Sequence, residues 1–150
     1  MKNICVIDGQ GGGIGATIIK RLRALFEEDV DIVALGTNAI ATAQMLKARA
    51  NRGASGENAI VQTVPRMDVI IGPVGIVMAN SMMGEVSTRI AEAVASCDAP
   101  KLLVPLSQEN LVIVGASSQP LPHLLDVLIE QHLAPMFGPE NTNQDGLSDV

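Results

Sequence analysis

VIDGQGGGIGATIIK, residues 6–20, passes from an apolar run through a loop with five glycines between Gly9 and Gly15 into a helical pattern. Residues 3–7, NICVI, form a short apolar run closed by Asp8-Gly9, the signature of a buried strand. After the glycines, Ile14, Ile18, Ile19, Leu22, Leu25 and Phe26 recur at helical spacing, which predicts a helix over about 14–28. Strand, glycine loop and helix in that order open a Rossmann-like half.

The same alternation continues along the chain. DIVALG, 31–36, predicts a second buried strand. Thr37 or Asn38 can cap a following helix whose inner face reads Ala39, Ala43, Leu46 and Ala50, ended by Gly53. Residues 54–66 admit a helix over 56–64 or a strand over 59–64. The helix is preferred because DVIIG, 68–72, is a clear strand and a parallel partner needs a crossover before it. Ser87 can cap a helix to Cys97, and KLLVP, 101–105, predicts a further strand. LVIVG, 111–115, reads as its antiparallel hairpin partner across the turn SQEN. Leu121, Leu124, Leu125, Leu128, Ile129 and Leu133 define a last amphipathic helix, with Pro120 and Pro122 at its start.

Together these elements predict an α/β fold: a three-layer Rossmann-like sandwich, with a mostly parallel sheet and a C-terminal antiparallel hairpin strand. A single domain is expected over 1–137, followed by a flexible polar tail, GPENTNQDGLSDV, over 138–150.

Composition narrows the function classes. Of 150 residues, 47% are hydrophobic and only 17% charged, so part of the surface is expected to be covered in a homo-oligomer. A net charge of −6 gives no diffuse attraction for nucleic acid or an anionic membrane, and Trp and Tyr are both absent, leaving no stacking platform. No targeting or membrane-spanning pattern is present, and the chain reads as cytoplasmic. Cys5 and Cys97 read as free thiols in apolar surroundings. His123 and His132, nine apart on one helix, fall on opposite faces, so no metal site is expected. Met78, Met82 and Met83 read as core or subunit contact.

A helix N-terminus offers unpaired N–H groups and partial positive charge, and glycines let an anion approach the backbone. Gly9, Gly11, Gly12, Gly13, Ile14 and Gly15 are therefore candidates for holding a phosphate. The dinucleotide fingerprint G-x-G-x-x-G does not register, because Ile14 stands where the third glycine would fall. Gly11, Gly13 and Ala16 fit its alanine variant. Gly9, Gly13 and Gly15 match the spacing of short-chain dehydrogenases and reductases, but the chain has no catalytic tyrosine to go with it. GGGIGAT, 11–17, resembles a nucleotide hydrolase phosphate loop whose two lysine positions hold Gly11 and Ala16, so ATP hydrolysis is not expected.

The end of the second strand is Gly36-Thr37-Asn38, where NAD binders present an acid to the ribose. Neither an acid nor an arginine stands there, which leans slightly toward NADP. Thr37 and Asn38 are the candidates for meeting a ribose. Gly72, Pro73 and Gly75, after the third clear strand, and Pro105-Leu106-Ser107 converge on the same crevice. The favoured ligand is NAD(P) or another nucleotide, held by a binding or sensing module. A small enzyme acting on a phosphorylated or acidic metabolite, with Asp8 or Glu85 as acid/base, is the alternative. A scaffold whose glycines serve packing alone is the third reading. Asp8 sits awkwardly beside a phosphate cradle unless it accepts the loop's own amides. Glu57-Asn58 reads as helix-start polarity.

IDGQGGGIG (7–15), LGTNAIAT (35–42), ASGENAI (54–60) and DVIIGPVGIV (68–77) taken together resemble a family of small bacterial proteins classed as a domain of unknown function. The resemblance covers about residues 1–135. It implies a single Rossmann-like domain and brings no activity and no catalytic residue.

Overall fold

The computed structural model describes residues 2–106, 109–116 and 118–137. Two compact units are present, Met1–Ala116 and Ser117–Val150. The expected polar tail, 138–150, lies outside the described residues.

Among its described residues the first unit carries five strands and four main helices. In chain order they are β1 (Lys2–Asp8), α1 (Gly13–Phe26), β2 (Val30–Gly36), α2 (Ala39–Lys47), β3 (Arg52–Ser55), α3 (Glu57–Thr63), β4 (Val69–Pro73), α4 (Thr88–Ser96) and β5 (Lys101–Val104). The sheet order is β3-β2-β1-β4-β5, and every pairing is parallel. β1 is central because its residues Ile4 to Ile7 are fully buried, as a strand covered on both faces must be. Cys5, Ile7, Val33, Leu35 and Ile70 share one core with Ile60 and Val64, and with Ile90 and Val94 of α4. By the two-residue period of a strand, Ile4, Val6, Ile32 and Ala34 face the other layer. That layer holds α1 and α2, whose Ile18, Ile19, Leu22 and Met45 are all fully buried. The architecture is Rossmann-like α/β. Burial pushes the Cys5 thiol pKa well above its ordinary value, and both cysteines are free.

Two expectations are corrected, and one strand appears that the sequence does not predict. LVIVG at 111–115 is not an antiparallel hairpin strand, and the sheet is wholly parallel. The connection Pro105–Asn110 has neither glycine nor an Asn-Gly pair for a tight hairpin turn, and a short apolar run does not by itself distinguish strand from extended loop. Leu111, Val112, Ile113 and Val114 stand exposed instead. β3 carried no signal, since Arg52–Ser55 is short, polar and largely solvent-facing, as suits an edge strand. The helix preferred after it forms over Glu57–Thr63. Finally, α2 buries Ala41, Thr42 and Met45 rather than the face of Ala39, Ala43, Leu46 and Ala50. Small alanines on all sides of a nine-residue helix leave its periodicity ambiguous.

In the second unit, α5 (Leu121–Val127) runs on through a π-helical stretch, Leu128–Leu133, into α6 (Ala134–Phe137). Leu125, Leu128, Ile129 and Leu133 form its buried side, four of the six positions expected.

Candidate functional site

The strand order reverses between β1 and β4: one strand leads to α1 and the β2 side, the other to α4 and the β5 side. Ligands of open α/β sheets bind beyond the carboxyl ends of the strands at such a point. A cleft of about 350 Å³ lies there. Asp8, Gln10 and Ile14 line it from the β1–α1 loop, Pro73 and Gly75 from the end of β4. Asn80, Met82 and Met83 form its rim, and Leu106 and Glu109 close the side beyond β5. Among the described residues its charged lining is acidic: Asp8 and Glu109, with no lysine or arginine. Ser107, expected at this edge, lies outside the described residues.

The glycines of the loop divide into two kinds. Gly12 has φ +74° and precedes α1, and an added Cβ there would lie 2.8 Å from Ala41 Cα. A Cβ on Gly15 would lie 2.6 Å from Met45 Sδ, and one on Gly9 would run into Thr37, Met82 and Glu85. These three glycines serve close packing. Gly11 and Gly13 are exposed, with nothing within 4 Å of where a Cβ would stand. Among the described residues, no acceptor takes their amides.

Asp8 is 4% exposed. Its Oδ1 accepts the Gly9 N–H at 2.8 Å and its Oδ2 the Gly15 N–H at 2.7 Å. Burial raises its pKa above the ordinary value, opposed by the amides of Gly15, Gly9 and Ile14. The carboxylate therefore organises the loop from inside, through the loop's own amides.

Glu85 belongs to a strap between β4 and α4. Asn80, Met82 and Met83 all have positive φ there, a conformation that L-residues seldom adopt. The strap is tied down by Ser81, 2% exposed, which donates to the Gly75 carbonyl at 2.6 Å, and by Glu109, which accepts the Met82 N–H at 2.9 Å. One oxygen of Glu85, Oε1, accepts three hydrogen bonds: from Gln10 N–H at 2.7 Å, Thr37 Oγ1 at 2.7 Å and Asn38 Nδ2 at 2.9 Å. Asn38 also donates to the Gln10 carbonyl, and its Oδ1 caps α2 at Ala41 N–H. So Thr37 and Asn38, expected at a ribose, are brought together with Glu85 and the glycine loop. The sequence offers Glu85 as an acid without partners, because those partners stand 47, 48 and 75 residues away.

Partial burial pulls the Glu85 pKa upward, but its three hydrogen bonds together outweigh that and hold it below the ordinary 4.5. The sign follows. A depressed folded pKa contributes stability that is fully present above about pH 4.5 and is lost as pH falls through the lowered value. We expect the stability difference between the wild type and Glu85→Gln, read by urea titration, to shrink as pH falls from 6 to 3. A difference that stays constant or grows over this range would mean that the carboxylate charge contributes nothing at this junction.

Other candidates have structural partners. Glu57 accepts from the Ser87 hydroxyl and pairs with Arg89 at 3.2 Å, clamping α3 to the start of α4, where Ser87 caps Ile90 N–H. Met83 is 94% exposed on the cleft rim, whereas Met82 packs over Gly9. Gly72 packs against the Ile7 carbonyl rather than facing the cleft. Among the described residues, no cluster of three or more His, Cys, Asp or Glu could hold a metal, and no helix is long and apolar enough to cross a membrane.

No curated protein matches the chain. Among solved structures, a dodecameric FMN-dependent Ubix-like decarboxylase from Escherichia coli O157:H7 matches with 13% identity and a TM-score of 0.43. That match covers 85% of this chain and 92% of the other. A family model matches residues 3–136, nearly the whole chain, and the protein accordingly belongs to the family described as a domain of unknown function, DUF3842.

Proposed function

We propose that this protein is a binding or sensing module for a nucleotide-type, phosphate-bearing ligand, with NAD(P) the favoured candidate. The observation that carries this reading is the division among the loop glycines. Packing accounts for Gly9, Gly12 and Gly15. It does not account for Gly11 and Gly13, whose open amides stand at the start of α1 beside the cleft. A phosphate on these amides would meet the positive end of α1. The cleft, at about 350 Å³, has room for one polar half of a dinucleotide. Its acidic lining suits a neutral or cationic group, which supports phosphates on the loop with the uncharged or cationic half in the cleft.

The enzyme reading finds less support. Both oxygens of Asp8 are engaged by the loop, and a Glu85 held ionised by three donors is a poor proton donor near neutral pH. Self-association is proposed as well, on the exposed apolar run Leu111–Val114 and the low content of charged residues.

Native mass spectrometry of the purified protein reads subunit number and retained ligand together. A thermal-shift panel of NAD(H), NADP(H), ATP, GTP and sugar phosphates then identifies the class. Gly13→Leu is the decisive variant, because the fold has open space for the new side chain while the phosphate position would be filled. The expected result is a folded protein with its ligand shift abolished. A folded Gly13→Leu that keeps the full shift would remove the loop as the phosphate site.

A further inference from the structure

We infer that Glu85 reads the ribose of the bound nucleotide and selects a free 2′-hydroxyl against a 2′-phosphate. This rests on the nucleotide reading above. In doubly wound sheets a nucleotide whose phosphate lies at the β1–α1 loop extends its ribose toward the end of β2, where an acid accepts the ribose hydroxyls. In this chain β2 itself ends in Gly36-Thr37-Asn38 and presents no acid. The fold supplies one from elsewhere, because the strap after β4 sets Glu85 against Thr37 and Asn38 and against the Gln10 amide of the loop.

Three features suit the carboxylate to this task. All three donors converge on Oε1, so the group is held in place before any ligand arrives, and Oε2 remains available to accept hydroxyls. The junction joins the glycine loop directly, through Gln10, which also lines the cleft. Among the described residues, no lysine or arginine pairs with Glu85, so its charge faces an incoming group uncompensated. A hydroxyl donates to such an oxygen, whereas a phosphate brings like charge to it. The slight lean toward NADP drawn from the end of β2 is thereby reversed.

The test is isothermal titration of the full chain with AMP and adenosine 2′,5′-bisphosphate, and with NAD and NADP, at fixed ionic strength. Wild-type protein is expected to bind the member with a free 2′-hydroxyl at least tenfold more tightly in each pair. Glu85→Gln keeps an oxygen that can accept the same three donors but removes the charge, and it is expected to bring the two affinities within about threefold. Equal affinities in the wild type, or a ratio unchanged in a folded Glu85→Gln, would overturn the assignment while leaving nucleotide binding intact. Failure of all four ligands to bind would overturn this assignment, and failure of the whole thermal-shift panel would overturn the nucleotide reading as well. The wild-type ratio alone decides the matter if the variant does not fold.

Discussion

Arg23→Met is expected to lower stability by about 3–5 kcal/mol, although the new side chain matches the old stem in length and apolar character. Arg23 is 5% exposed in α1, and among the described residues no carboxylate is bonded to it. Its Nε donates to the Arg49 carbonyl at 2.9 Å. One terminal nitrogen donates to the Glu27 carbonyl at 2.8 Å and the Val30 carbonyl at 3.2 Å, and the other donates to the Asn51 side chain. Asn51 in turn accepts the Ile32 N–H at 2.7 Å. The guanidinium thus joins the end of α1, the start of β2 and the turn between α2 and β3. Its charge also lies in the last turn of α1, where the helix dipole favours a cation. Methionine would take a donor from the buried Val30 carbonyl and from the part-buried carbonyls of Glu27 and Arg49, and would leave Asn51 Oδ1 with the Ile32 N–H alone. Chemical denaturation should show a lower midpoint with an unchanged slope, and the melting temperature should fall by about 10 °C. Lysine keeps the charge but cannot present a planar fork to several acceptors, so Arg23→Lys should retain only part of the loss. A midpoint within experimental error of the wild type would show that the hub is dispensable.

Gly12→Ala is expected to cost about 2–4 kcal/mol, while Gly13→Ala, one residue on, should be neutral or stabilise by up to about 1 kcal/mol. Gly12 has φ +74°, and a Cβ there would lie 2.8 Å from both Cα and the carbonyl oxygen of Ala41. Backbone cannot move aside as a flexible side-chain end can, so α1 and α2 would have to separate. Gly13 begins α1 with open space around it, so alanine meets nothing and gains helix propensity. Paired thermal melts of the two variants check the contrast. Equal effects would mean that the close approach of α1 to α2 has been misread. The contrast also supports using Gly13, and not Gly12, to probe ligand binding, since of the two Gly13 alone separates binding from folding.

Most of the architecture was written in local patterns. The apolar runs at 3–7, 31–36, 68–72 and 101–105 all emerged as strands, and the caps Asn38 and Ser87 stand where capping chemistry put them. What failed locally has a physical cause in each case. β3 is a polar edge whose pairing comes from β2 and not from its own residues. LVIVG has the composition of a strand, but the residues before it, PLSQEN, lack the glycine that a tight hairpin turn needs.

The site was legible by location but not by wiring. That the glycine loop, Thr37-Asn38 and the end of β4 meet at one edge follows from parallel strands joined by crossovers, and a sequence carries that topology in its order of elements. Asp8 was likewise legible as an acceptor of its own loop's amides, because those partners lie one and seven residues away. Glu85 was not. Its partners come from two other segments, and only the path of the strap between β4 and α4 brings them to one carboxylate oxygen. By itself the sequence determined the Rossmann-like layering and the position of the crevice, because hydrophobic periodicity and turn residues act over a few positions. Tertiary structure decided which glycines pack and which stay open, and where the acid at the end of β2 comes from. Those are contacts between distant segments, set by how closely helices and strands approach once the core has closed.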